Sequence, residues 1–330
     1  MIGHLSTSVT DEKPMRHIEA QFDEADWQSA SEVQRPWVRF YNDEPSDGVI
    51  WYVPAMAERP RLSLIVPTAD ADRGGYFRKL LRQLGNQSVQ DFELLVIKGD
   101  RRQGRAINIG AALAKGEYLL TLDDDSSLPE ADTLQRLVSA MDENPDIGMA
   151  GGSNTVPEWA TPFVKRGMRQ VPRRSWEPVT EIVDSDLAEH PCLIMRAALF
   201  RQVGGENECI PRGLDPYLRK QFRDADARVV LIPGVIYHHL PPDGWGKLLR
   251  QFFRNGYQAA YANLHHPEWV IETPSDHGTF TEKVPLWKRV IRFPWRMLAS
   301  LFSGRWVWLV CQFCYASGFL VGWWKESGKG

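Results

Sequence analysis

The first half of the sequence alternates short apolar runs with amphipathic stretches, and this pattern restricts the possible folds more than any other feature. LSLIV (62–66), FELLVI (92–97) and EYLLTL (117–122) have the length of buried strands. The segments at about 76–86 and 104–114 have helical periodicity. Strands that alternate with helices of this length predict βαβ crossovers. We therefore expect an α/β, Rossmann-like fold with a mostly parallel central sheet buried on both faces.

Regions of different composition flank this part and divide the chain into three. Residues 37–53 read WVRFY, NDEPSDG and VIWYV, which predicts an accessory hairpin within an N-terminal region 1–60. The α/β domain then occupies 61–243, in which residues 151–190 have few apolar runs and are interpreted as a long loop. Amphipathic and hydrophobic helices are expected over the C-terminal region 244–330.

Composition and charge exclude several classes of protein. The chain is 43% hydrophobic and 25% charged, which is typical of a globular protein. Its 39 Lys and Arg against 42 Asp and Glu give a net charge of −3, so no overall basic surface indicates nucleic acid as a partner. Four cysteines are too few for a disulfide framework, and the N-terminus lacks the pattern of a secretory signal. We expect a cytoplasmic location.

The C-terminal segment 283–330 differs from the rest, with eight Lys or Arg against one Glu and six of the 13 Trp. KVPLWKRVIRFPWR (283–296) interleaves basic and apolar residues, as do helices that lie in a membrane interface. Residues 306–324 contain no charge and are just long enough to span a bilayer. Three interpretations stay open: monotopic insertion with the preceding helix, a single span, or packing on protein, including a second copy in a homo-oligomer. The first two place the chain on the cytoplasmic face of the cell membrane.

Three adjacent carboxylates, Asp123, Asp124 and Asp125, directly follow the third predicted strand. The carboxyl ends of strands are where open α/β sheets bind ligands. Hard divalent cations take oxygen ligands and commonly keep phosphate as a co-ligand. The triplet therefore favours a Mg²⁺ or Mn²⁺ site for a nucleoside diphosphate. The alternative is an acidic loop in which Ser126 or Ser127 caps the next helix.

Several segments together resemble the inverting family 2 glycosyltransferases, which have the glycosyltransferase A fold. The similarity extends over about residues 61–240. The segments that carry it are LIVPT (64–68), GRAINIGAALAKGEYLLTLDDD (104–125), MRAALFRQVGG (195–205) and LDPYLRKQF (214–222). The family's usual Arg and Glu are replaced here by Ile107 and Leu214.

The resemblance implies a sugar transfer that depends on Mg²⁺ or Mn²⁺. The donor would be a nucleoside diphosphate sugar, with UDP-sugars favoured, and the acceptor a hydroxyl of a lipid-linked or cell-surface glycan. Residues 61–150 would form the nucleotide-sugar half and residues 151–243 the acceptor half. Two rivals are a sugar-phosphate nucleotidylyltransferase, whose Gly-rich phosphate loop is missing after the first strand, and a catalytically inactive membrane adaptor with the same fold.

The resemblance also implies roles for individual residues. Asp215 would be the general base, although an Asp that begins a helix is also a common N-cap. The residues implied to contact the nucleotide sugar are Pro67, Asp100, Asn108, Asp123 and Asp124. The residues implied to hold the metal are Asp123, Asp125 and one histidine of the strand VIYHH.

Only one of the adjacent histidines His238 and His239 can face the site, because neighbouring strand residues point to opposite faces. We assign His238 to it. A basic cluster, Lys165, Arg166, Arg169, Arg173 and Arg174, is interpreted either as a phosphate grip or as a solvated loop.

Overall fold

A computed structural model describes residues 16–171, 177–270, 278–280 and 283–328. The strands are β1 Gln28–Ser29, β2 Val49–Val53, β3 Leu62–Thr68, β4 Phe92–Lys98, β5 Tyr118–Thr121, β6 Ile147–Asn154, β7 Val183–Asp184, β8 Leu193–Arg196 and β9 Arg228–Tyr237. The helices are α1 Ile18–Asp23, α2 Tyr76–Gly85, α3 Gln103–Leu113, α4 Thr133–Glu143, α5 Pro162–Gln170, α6 Ala197–Gln202, α7 Asp215–Asp224, α8 Trp245–His265, α9 Leu286–Phe302 and α10 Trp306–Ser327.

The strands form one mixed sheet in the order β1-β2-β4-β3-β5-β8-β6-β9-β7. Within the described ranges, three neighbouring pairs are parallel, and the other five are antiparallel. The expectation of a mostly parallel sheet is therefore corrected. The reason is that a buried strand is apolar in either direction, so periodicity does not reveal that β8 lies antiparallel between β5 and β6. Strands β3, β4, β5, β6 and β9 still share one direction, so their carboxyl ends meet at one edge.

Helices cover both faces of the sheet and fix its position. Leu64 belongs to the cluster that includes α2 and α4, whereas its neighbour Ile65 packs in the cluster of α3, α6 and α7. Both strand residues are fully buried. Burial of each such side chain stabilises the fold by about 1.5–3 kcal/mol, so a strand that is apolar on both faces is fixed between two helical layers.

The predicted hairpin over 37–53 is wrong in its first arm. Val49–Val53 is a strand, but it pairs antiparallel with β4 and with the short β1. Trp37 instead packs edge-on against Phe200 of α6, with ring centroids 5.6 Å apart. A Cβ at Gly205, where φ is +62°, would lie 2.3 Å from the Trp37 ring. Trp37 thus packs against the Gly204-Gly205 turn and takes no part in strand pairing.

The loop predicted over 151–190 contains ordered elements. The amphipathic helix α5 and the short edge strand β7 lie within it. The two apolar runs RVVLI and VIYHH form the single strand β9, which pairs parallel with β6 through a register shift. Arg173 and Arg174 of the basic cluster lie outside the described residues.

Helices α8 and α10 run parallel and approach each other at backbone distance. A Cβ at Gly256 would lie 2.0 Å from the carbonyl oxygen of Tyr315, and one at Gly318 would lie 2.0 Å from that of Phe253. Further along, the Tyr257 hydroxyl donates to Glu326 Oε1 at 2.8 Å. One face of α10 is therefore covered along its length by α8.

This close approach predicts a specific loss of stability. Gly256→Ala should lower the free energy of unfolding by about 1–3 kcal/mol, because the added methyl group meets backbone that has little room to move. The matched control is Gly246→Ala in the first turn of the same helix, where nothing lies within 4 Å of the new Cβ. Urea unfolding of the full chain measures both. Equal stability of the two variants would contradict the close packing.

Candidate active site

The acidic triplet occupies the turn after β5, at the edge where the five strands of common direction end. The turn is fixed because the Ser126 N–H donates to the Asp123 carbonyl at 3.0 Å and the Ser126 hydroxyl donates to the Pro191 carbonyl at 2.7 Å. Helix α4 begins only at Thr133, after Asp132 at its N-cap position. The interpretation of the triplet as a capping loop is therefore wrong.

Asp123, Asp125 and His239 converge on one point of this edge. His239 Nε2 lies 3.7 Å from Asp123 Oδ2 and 3.2 Å from Asp125 Oδ1. One ligand atom from each residue lies within 4.8 Å of the other two. Burial, together with repulsion by Asp125, raises the pKa of Asp123 to about 6. Two carboxylates and an imidazole are a donor set that fits a divalent cation.

The assignment of His238 to this cluster is corrected to His239. The backbone of His238 forms an antiparallel bridge with Ser127, and its ring Nδ1 lies 3.0 Å from the Thr155 carbonyl oxygen. Burial lowers the pKa of His238. The next residue points to the other face, and the Asn154 side chain accepts the His239 N–H at 3.0 Å.

Arg73 supplies a positive charge to the triplet. Its Nη2 lies 3.0 Å from Asp125 Oδ2, and its Nε lies 3.5 Å from Asp124 Oδ1. Asp124 is nearly buried and accepts the Thr68 hydroxyl at 2.6 Å, and burial raises its pKa. Although burial acts to raise the pKa of Asp125, His239 and Arg73 hold it well below its usual range.

The other residues implied to contact the nucleotide sugar differ in their placement. Pro67 is partly exposed near the carboxyl end of β3. The Asp100 side chain is fully buried, where it is held by Ser46 and by Arg105 Nε at 2.9 Å. Asn108 is also fully buried. It donates to the Glu206 carbonyl at 2.9 Å and accepts the Glu206 N–H at 2.9 Å. The structure therefore does not bring Asp100 and Asn108 to the acidic cluster, and both support nearby loops.

Asp215 is the first residue of α7, with its side chain about 25% exposed. Its Oδ1 accepts the backbone N–H of His190 at 2.9 Å. The N-cap residue is Leu214, so the interpretation of Asp215 as a cap is wrong. Although burial acts to raise the pKa of Asp215, the charges of His190 and Arg219 and the His190 N–H lower it. The carboxylate is therefore ionised at neutral pH.

Comparison with known proteins identifies the family of the domain that contains this edge. Residues 76–202 match the family model described as Glycosyl transferase family 2. The chain carries a family 2 glycosyltransferase domain. A search of curated proteins finds no significant match.

Solved structures similar to this chain include the mannosyltransferase PcManGT from Pyrobaculum calidifontis in complex with GDP-Man and Mn²⁺. It is 14% identical, with a TM-score of 0.52, and the alignment covers 86% of this chain and 92% of that chain. S. aureus TarS 1-349 in complex with UDP-GlcNAc aligns at 16% identity and a TM-score of 0.41, over 63% of this chain and 69% of that one. The first likeness and the family match confirm the expected glycosyltransferase A type of α/β fold.

Three residues at this edge of the sheet were not predicted from the sequence. Arg73 has a φ of +50°, and Gly74 and Gly75 also have left-handed backbone. Because glycine favours this conformation, the Arg-Gly-Gly sequence after β3 was a signal for a tight turn back to the site. His190 and Glu206 lie behind Asp215, with His190 Nε2 2.8 Å from Glu206 Oε1. No local pattern indicates either of them.

The basic cluster makes local contacts where it is described. Lys165 donates to the Glu158 carbonyl at 2.6 Å, and Arg169 donates to the Lys165 carbonyl at 3.4 Å. Both bonds are solvent-exposed, but Lys165, Arg166 and Arg169 lie in helix α5, so the interpretation of these residues as a loop is wrong.

The two adjacent histidines provide a matched test of the cation site. His239→Gln should weaken Mn²⁺ binding at least about tenfold, because a ligand is lost, whereas His238→Gln should leave it unchanged. Electron paramagnetic resonance of free Mn²⁺ measures both affinities without an activity assay. The outcome that contradicts this assignment is an equal effect of the two substitutions.

Proposed function

We propose that the chain is an inverting, metal-dependent glycosyltransferase. It would move a sugar from a nucleoside diphosphate sugar to a hydroxyl of a lipid-linked or cell-surface glycan acceptor. One observation carries the proposal: a candidate cation cluster, Asp123, Asp125 and His239, lies at the same sheet edge as Asp215, a separate ionised carboxylate. An in-line displacement needs these two functions apart, one for the leaving diphosphate and one for the attacking hydroxyl.

Asp215 suits the role of the base in its protonation state and exposure. As the acceptor oxygen bonds to the anomeric carbon, the bond from that carbon to the phosphate oxygen breaks, and the hydroxyl proton passes to the Asp215 carboxylate. An ionised and partly exposed carboxylate is able to accept that proton.

Asp123, Asp125 and His239 would hold Mg²⁺ or Mn²⁺, which when bound neutralises charge on the departing diphosphate. Arg73 is a cation of the chain at the same carboxylates and can pair with phosphate oxygens by charge-assisted hydrogen bonds. PcManGT was solved with GDP-Man and Mn²⁺. GDP-sugars and Mn²⁺ therefore belong in the first assay beside the UDP-sugars and Mg²⁺ favoured by the sequence.

The base assignment predicts the behaviour of one substitution. Asp215→Asn should retain donor binding but lose about a hundredfold or more of the transfer rate, because an amide keeps the shape but accepts no proton. Transfer is measured by nucleotide release and product mass, and donor binding by calorimetry. The control is Asp224→Asn at the other end of α7, where the carboxylate is exposed and pairs with Lys220. Near-normal transfer by Asp215→Asn would place the base elsewhere and favour a different reaction or an inactive adaptor.

We further propose that the C-terminal region holds the protein on the cytoplasmic face of the membrane. Helix α9 exposes an apolar stripe at spacings of three and four residues. This stripe, the α9 face, comprises Trp287, Val290, Ile291, Trp295, Leu298 and Phe302. The exposed cations Lys288 and Arg292 flank it. An apolar stripe with basic flanks is complementary to an anionic lipid interface.

The structure favours monotopic association over a span. Helix α10 is the one described helix that is long and apolar enough to cross a membrane. However, α8 packs along it and carries the exposed Arg250 and Arg254. A span by α10 would draw these arginines into hydrocarbon, at a cost of about 2.5–3.5 kcal/mol each on insertion scales. Because α10 packs against α8, we expect α9 to be the helix that contacts the lipid.

The α9 face predicts how vesicle binding responds to substitution. Trp295→Ser should weaken sedimentation with anionic vesicles about tenfold or more, because a buried apolar side chain contributes about 1.5–3 kcal/mol. Trp159→Ser is the control, since this tryptophan is also exposed but lies far from α9 in sequence. Replacing Lys288 and Arg292 together by Gln should cost about 30-fold on anionic vesicles and little on zwitterionic ones. Unchanged binding of both α9 variants would contradict the proposed membrane face.

A further inference from the structure

A buried ion pair lies directly behind Asp215. His190 is in the 3-10 turn His190–Cys192 that precedes β8, and its side chain is 4% exposed, while that of Glu206 is fully buried. A carboxylate in such a place is costly unless a positive charge compensates it. His190 Nε2 lies 2.8 Å from Glu206 Oε1, which is the separation of an ion pair.

The contacts of the ring indicate that both of its nitrogens carry a proton. Nε2 faces the Glu206 carboxylate, and Nδ1 lies 3.1 Å from the Thr121 hydroxyl oxygen. That hydroxyl donates to the His190 carbonyl at 3.1 Å, so its lone pairs remain to accept the ring N–H. The Nε2 contact is an ion pair without hydrogen-bond geometry, and a ring that donates from Nδ1 and pairs with a carboxylate at Nε2 is an imidazolium.

The imidazolium reaches Asp215 in two ways. Its Nε2 lies 4.0 Å from Asp215 Oδ1, and the backbone N–H of the same residue donates to that oxygen at 2.9 Å. The charged groups that act on the ring are Glu206, Asp215 and Asp123, all acidic, and together they raise the pKa of His190 to about 9 despite its burial. Arg219 acts on Asp215 from the α7 side.

We propose that His190 is a positioning residue for the base: held as an imidazolium by Glu206 and Thr121, it fixes the Asp215 carboxylate in place and keeps it ionised. The proposal rests on the role of Asp215 in the proposed function. His190 does not itself exchange a proton with the acceptor. Glu206 acts through His190, because its carboxylate lies 2.8 Å from the same ring nitrogen that lies 4.0 Å from Asp215 Oδ1.

The pH profile of transfer separates this role from a merely structural one. An opposite charge at this distance lowers a carboxyl pKa by about 1–3 units, so its removal raises the pKa of Asp215. In His190→Gln and in Glu206→Gln, the acid limb of kcat/KM should therefore move to higher pH by about 1–3 units. In the control His238→Gln, whose ring faces Thr155, the limb should stay at the wild-type pH. Variants that lose stability or rate with an unmoved limb would overturn the proposal.

A second measurement on the wild-type chain does not depend on activity or on the folding of His190→Gln. With ¹⁵N-labelled histidine in the full chain, one ring should keep the nitrogen shifts of an imidazolium at about pH 8, where an ordinary histidine is neutral. That signal should be lost in Glu206→Gln. A His190 ring that is neutral at pH 7 would overturn the proposal. If no donor is turned over, the proposed function fails, but the ring shifts still decide whether His190 is charged.

Discussion

Mutual repulsion of carboxylates at the end of one sheet is the interaction on which the rest of the site depends. Asp123, Asp124 and Asp125 follow a fully buried strand, and the fold brings Asp215 to the same region. Such a concentration of negative charge is tolerated only where cations compensate it. Arg73, His239 and His190 lie beside these carboxylates on three separate turns, and their contacts hold those turns against the sheet edge.

Two of these three side chains are exposed enough to change partners, and one is not. Arg73 is half-exposed and His239 is partly exposed, so a metal or a diphosphate can replace their contacts with the triplet. His190 is sealed between Glu206 and Thr121. In the proposed reaction the donor side would be adaptable and the base side rigid, which is what an in-line displacement requires if the attacking hydroxyl is to be held in a fixed direction.

The support for this rigid side comes from buried polar contacts that lie away from the chemistry. Asn108 binds both the N–H and the carbonyl of Glu206, and its amide also donates to Glu208 Oε1 at 3.0 Å. Glu208 in turn pairs with the buried Arg35 at 2.7 Å. A residue implied by the family resemblance to contact the nucleotide sugar thus orders the loop that carries the partner of His190. Loss of one member would leave a buried polar group unpaired, so the network is cooperative.

The sequence predicted those features that local pattern controls. The strand before the triplet and the helix that starts at Asp215 are confirmed, because apolar periodicity and the position after a strand are properties of a few adjacent residues. The pairing of His190 with Glu206 joins residues on different loops, which no spacing reveals. The choice of His239 over His238 depended on the phase of β9, set by its pairing with β6. The direction of β8 was likewise decided by tertiary pairing.

The C-terminal helices show the same limit at a larger scale, because composition predicts a membrane surface for them but does not reveal which elements pack against them. A stretch of 19 uncharged residues reads as a candidate span, yet the glycines at 318 and 322 within it serve close contact with α8. Leu248 of α8 and Cys311 of α10 share a buried cluster with Val171, the residue that follows α5. Removal of 283–330 would therefore expose apolar surface of α8 and the side chain of Val171. Helix α10 packs on α8, and its Trp308 and Leu309 share a buried cluster with Met297 of α9, so α10 fixes the position of α9 and of the proposed membrane face.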